Sequence, residues 1–187
     1  MRLRPSSGFL RSLVLVSWAV AGLSSAVQAQ AEDPAVREAF FRVVGEHFSV
    51  PLQEVTIISG WELSPDEVPV VLFLAQRAGV SPDALIGARR GGRPWRDVAA
   101  RFGVDARAFH IPLPGDLDLG PLSRAYGEFQ GRPAGEWSKI LLEDQEVVGL
   151  VNLRVLSDQT GASPERIIRA RVEAGSFLAC YPLLIRR

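Results

Sequence analysis

The sequence predicts an all-α protein built from short helical hairpins in two related units, joined by a Gly/Pro-rich loop and closed by an apolar C-terminal tail. Three observations carry that expectation. Helix starts are written out as a capping residue followed by proline: Asp33-Pro34, Ser64-Pro65, Ser81-Pro82 and Ser163-Pro164. Helix stops are written as glycine: Gly60, Gly79, Gly103 and Gly161. Apolar residues between these marks recur at helical spacing, as Phe40 and Val44 do, with His47 on the same side of the first segment.

The N-terminus has the layout of a secretory signal. Arg2, Arg4 and Arg11 form a positive front, and no acid occurs before Glu32. The apolar stretch from Leu13 to Leu23 is shorter than the roughly 20 residues that span a bilayer. Small residues follow and end in Ala29-Gln30-Ala31. The expected cleavage lies after Ala31, with Ala29 as the second site and an uncleaved anchor as the alternative. Residues 1–31 are therefore assigned as a signal peptide, which places the mature chain in the periplasm or outside the cell, without a stable membrane span.

The remaining 156 residues divide into a first helical unit, 32–110, a loop, 111–135, and a second unit, 136–187, packed on the first. The signal takes three of the 21 basic residues and none of the 21 acids, which leaves a net charge of −3. That balance exerts no global pull on nucleic acid. Cys180 is the only cysteine, so no internal disulfide can form and stability must come from packing. It sits in the apolar run Phe177 to Tyr181 and reads as a small buried hydrophobe.

In chain order, Asp33 caps a helix through Phe48, and Pro51 opens a short helix ending before Gly60. Ser64 and Glu67 form a capping box ahead of the run Val68 to Ala75, which stops at Gly79. Ser81-Pro82-Asp83 starts the next helix, ending at Gly91-Gly92, and Trp95 to Phe102 makes another. Asp105 caps a last turn toward His110. Residues 111–135 are crowded with glycine and proline and read as a loop, with a helical turn near Leu122 to Phe129. Glu143 caps a helix over 144–159, and Ser163 caps one running to Ala174. The tail from Phe177 to Ile185 is either strand-like or a helix broken by Pro182, and in both cases packs into the core.

Gly79-Val-Ser-Pro-Asp recurs 82 residues later as Gly161-Ala-Ser-Pro-Glu, and the register pairs Trp95 with Phe177. This points to an internal duplication of a hairpin whose faces are buried by stacking. The same spacing imitates a DNA-binding helix-turn-helix at Ala75, Gly79 and Leu85, at Ala99, Gly103 and Phe109, and at Ser157, Gly161 and Ile167. Any tight helix corner wants those residue types, and an exported chain leaves the chromosome, so nucleic acid is not the expected partner; a helix-turn-helix-like DNA binder is the alternative for a non-exported form.

Six arginines between Arg89 and Arg107 stand against Asp97 and Asp105, a local excess of four positive charges. Arg89, Arg90, Arg93 and Arg96 are the candidate binding residues, for an envelope protein or an anionic envelope polymer; a solvated face is the plainer alternative. No catalytic residue, metal site or cofactor site is assigned. The chain has only His47 and His110, no H-E-x-x-H, no G-x-S-x-G, no P-loop and no dinucleotide fingerprint. Asp116 and Asp118 hint at a calcium loop whose other oxygens are missing. With His110 they define the alternative of a small periplasmic hydrolase at the 110–118 loop. Trp61, Trp95 and Trp137 follow Gly or Pro near helix starts and read as wedges between hairpins.

The stretches Gly91-Gly-Arg-Pro-Trp-Arg-Asp-Val, Gly120-Pro-Leu-Ser-Arg-Ala-Tyr-Gly, Trp137-Ser-Lys-Ile and Val147-Val-Gly-Leu-Val-Asn-Leu resemble a family of uncharacterised bacterial secreted proteins. That family carries a G-P-x-x-x-A-Y-G stretch between two helical units. The resemblance implies a secreted helical protein and supplies no activity or catalytic residue. The leading expectation is a non-enzymatic exported module that binds an envelope component.

Overall fold

A computed structural model describes residues 33–113 and 117–185, all helices and connections with no strand among them. The proposed signal, residues 1–31, and Asp116 lie outside the described residues.

The helices are α1 (Pro34–Phe48), α2 (Leu52–Ser59), α3 (Val68–Ala78), α4 (Pro82–Arg89), α5 (Trp95–Arg101), α6 (Ser123–Gln130), α7 (Asp144–Thr160), α8 (Pro164–Ala174) and α9 (Phe177–Ile185). Tighter 3-10 turns occupy Pro65–Glu67, Ala106–Ala108, Gly120–Leu122 and Ala134–Lys139. Asp33, Ser163 and the Ser64–Glu67 pair cap their helices as the sequence requires, whereas Ser81 makes no side-chain cap hydrogen bond. Asp33 accepts from the Ala35 N–H at 2.8 Å, and the Glu67 carboxylate reaches back to the Ser64 N–H at 3.1 Å.

The centre of the molecule is α7. It is buried around its circumference, from Val147, Leu150 and Val151 to Leu153, Val155 and Leu156, as a helix surrounded by others must be. It packs against α1, α3, α5, α8 and α9. Gly149 brings it close to the 3-10 turn before α6: a Cβ there would lie 2.7 Å from Leu122 Cδ2. The first and last described helices meet in the same core, where Phe40 of α1 and Tyr181 of α9 stack edge-on at 6.2 Å.

The corners from α3 to α4 and from α7 to α8 each begin at a glycine. Gly79 and Gly161 both adopt φ +67°, a left-handed conformation that closes the helix without a Cβ penalty. The spacing that imitates helix-turn-helix serves the core at all three places, because Leu85, Phe109 and Ile167 are buried.

Two segments are more helical than their composition advertises. The Gly/Pro stretch holds the eight-residue α6, whose Ala125, Tyr126 and Phe129 are buried. The tail is a helix that continues through Pro182, with Leu178 to Tyr181 and Leu184 buried. Asp66 caps it from 111 residues upstream, taking the Phe177 N–H at 2.9 Å and the Leu178 N–H at 3.0 Å. Among the described residues no single helix is long and apolar enough to cross a membrane.

Candidate functional site

An open cleft of about 860 Å³ lies between the α2–α3 connection and the end of α4. Trp61, Glu62 and Leu63 form one wall; Asp83, Arg90 and Gly91-Gly92 contribute to the other. The walls are shaped by backbone that turns sharply. Glu62 has φ +59°, and Gly91 and Gly92 have φ +77° and +76°. Trp61 is half-buried against the core and presents the rest of its ring to the cleft.

Beneath the cleft lies a polar hub. Arg89 Nη2 and Trp95 Nε1 both donate to Glu67 Oε1, each at 2.9 Å. Arg89 Nη1 pairs with Asp144 Oδ2 at 2.8 Å, and Asp144 Oδ1 takes the Trp95 N–H at 2.6 Å. The guanidinium stands 4.8 Å from the Trp95 ring centroid. Four elements are tied at one point: the start of α3, the end of α4, and the starts of α5 and α7. Burial pulls the Glu67 carboxyl upward, but hydrogen bonds from Arg89, Ser64 and Trp95 outweigh it and hold it below the usual carboxylate range.

The four candidate arginines therefore separate. Arg89 is turned inward and committed to Glu67 and Asp144. Arg90, next in sequence, is exposed on the cleft rim and pairs with no described residue. Arg93 donates from Nε to the Ala88 carbonyl at 3.2 Å, so its guanidinium helps hold the α4 terminus. Arg96 reaches the Leu142 carbonyl at 3.3 Å and Asp97 at 3.5 Å, near a smaller hollow of about 110 Å³. The cleft also takes in Trp61, Glu62 and Asp83. Charge counting along the chain missed them, because no local pattern shows that the α2–α3 turn faces the end of α4.

Of the residues of the hydrolase alternative, the described His110 and Asp118 make no hydrogen bond or ion pair with each other, and Asp116 lies outside the described residues. His110 stacks on Trp137 at 4.3 Å and on Phe129 at 4.9 Å, and contacts no described carboxylate. Burial and the neighbouring Arg154 push its pKa below the usual histidine value. Asp118 spends an oxygen on the Gly120 N–H at 3.0 Å, a local turn. His47 Nδ1 instead meets Asp158 Oδ2 at 2.9 Å, which ties α1 to α7. No group of three or more His, Cys, Asp or Glu among the described residues is arranged to hold a metal ion.

No protein-family model, curated protein or solved structure matches the chain.

Proposed function

We propose that the protein is an exported, all-helical binding module that takes a segment of another envelope protein into the cleft over Trp61. One observation carries this reading: a partly exposed tryptophan and an unpaired arginine on the two walls of one hollow of about 860 Å³. Trp and Arg are the side chains that concentrate binding energy when a partner desolvates them. The unpaired charges in the cleft are Glu62, Asp83 and Arg90, two negative and one positive. That mixture suits a protein segment carrying both signs. An anionic polymer would meet an excess of carboxylate. Export rests on the N-terminal segment 1–31 and on the resemblance to secreted proteins.

The test is a quantitative crosslinking pull-down from the native host with the full chain and with Trp61→Ala and Arg90→Glu. Each variant is expected to lose at least about tenfold in partner recovery, as the removal of a binding hot spot does. Arg169→Glu, an exposed substitution on α8, is expected to recover the partner at the level of the unmodified protein. Undiminished recovery with both cleft variants would contradict the assignment.

A further inference from the structure

A second, smaller hollow of about 250 Å³ lies on the other side of Glu67. Its apolar lining comes from Leu122, Val148, Ile168 and Phe177. Four charged groups line it: Glu67 and Asp144, whose carboxylates are already paired with Arg89, and Asp66 and Arg171. Arg171 has a buried Nε without a hydrogen-bond partner, and its guanidinium makes no hydrogen bond to any described residue. Its one ring contact is with Phe177, 5.3 Å from the centroid. Asp66 faces the same hollow from the start of α3. Its two oxygens each hold a backbone N–H of α9, and it forms no ion pair with Arg171. Burial raises its carboxyl above the usual value despite those bonds and the nearby arginine.

An unpaired guanidinium in such a place asks for a carboxylate, which can take two of its donors at once. A simple anion would meet Asp66, and a simple cation would meet Arg171. A molecule carrying both charges on adjacent atoms satisfies both. The volume falls just below the roughly 300–1,000 Å³ of sites for drug-sized ligands. We propose that this hollow binds a free α-amino acid with an apolar side chain. The carboxylate lies on Arg171, the ammonium faces Asp66, and the side chain rests against Leu122, Val148, Ile168 and Phe177. The site is separate from the Trp61 cleft and does not depend on what the cleft binds.

Calorimetric titration of the purified protein at neutral pH tests it. The probes are L-leucine and L-phenylalanine, with leucinamide, 4-methylpentanoate and isoamylamine as analogues that each lack one charge. At least one amino acid is expected to bind with a Kd of about 1 mM or tighter, and each analogue to bind at least about tenfold more weakly. Arg171→Met, which removes the charge, and Val148→Trp, which fills the hollow, are expected to abolish binding while unfolding remains cooperative. The analogue series decides the matter even where a variant fails to fold. No binding of either amino acid up to about 10 mM, affinities equal to those of the analogues, or undiminished binding in both variants would overturn the assignment.

Discussion

Arg89 and Trp95 share one acceptor: Arg89 Nη2 and Trp95 Nε1 each donate to Glu67 Oε1 at 2.9 Å, with the guanidinium 4.8 Å from the indole centroid. The arginine is at once a base for the ring, a partner for the carboxylate and a clamp on Asp144. This contact fixes the floor on which the Trp61 cleft is built, so the two arginines in sequence there have opposite roles.

Arg89→Ala is expected to destabilise the fold by about 2–3 kcal/mol, since it leaves the Glu67 and Asp144 carboxylates without their cation in a half-buried site. Arg90→Ala is expected to stay within about 0.5 kcal/mol, as exposed substitutions do. Urea unfolding of the two variants checks the contrast. Equal effects would mean that the hub does not hold.

The hub has an acid signature. Glu67 is held below its usual pKa in the folded chain, so its contribution is present above the unfolded value and is lost as pH falls through the folded one. Glu67→Gln is therefore expected to be less stable than the unmodified protein at pH 7. The gap is expected to narrow as pH falls from the ordinary glutamate value of about 4.3 through the lower folded value. Thermal melts of both proteins across the acid range measure that gap, and a gap independent of pH would remove the ionic account.

Cys180 is fully buried, and burial, with the Asp66 charge nearby, pushes its thiol up to about 12. It also donates to the Phe177 carbonyl at 3.3 Å. Because the thiolate is the reactive form, labelling at pH 8 is expected to be at least ~100-fold slower in the folded protein than in denaturant. A disulfide reagent followed by absorbance reports the rate. Prompt labelling of the folded protein would show that α9 opens readily.

Gly79 and Gly161 each end a helix with φ +67°, and a Cβ at either would meet no atom within 4 Å. The cost of Gly79→Ala and of Gly161→Ala is then backbone strain alone, about 1 kcal/mol each. Matched losses in denaturant unfolding are the expected result; a large difference would mean that the corners are not alike.

Much of the fold was legible because its signals are local. Asp33, Ser64 and Ser163 mark helix starts with side chains that the backbone beside them uses, and Gly79 and Gly161 mark stops that need a positive φ. What escaped was long-range. The helix over Phe177–Ile185 runs through Pro182, and its cap is Asp66, brought from 111 residues away; nothing near Phe177 announces it. The sequence predicts a helical turn near Leu122 to Phe129 in the Gly/Pro stretch, but its extension to the eight residues Ser123–Gln130 is held by burying Tyr126 and Phe129. At the candidate site the sequence offered four arginines of one kind. Which of them turns inward depends on Glu67 and Asp144, 22 and 55 positions from Arg89. The Trp61 wall was invisible for the same reason.

The most direct measurement of the central claim places a photo-crosslinking amino acid at Gly87, an exposed position lining the cleft, and another at Arg169 on α8, then irradiates the living host. The cleft position is expected to trap one discrete protein adduct that disappears when Trp61→Ala is added, while position 169 traps none. Adducts of equal yield at both positions, or an adduct at Gly87 that survives Trp61→Ala, would contradict a partner seated on Trp61.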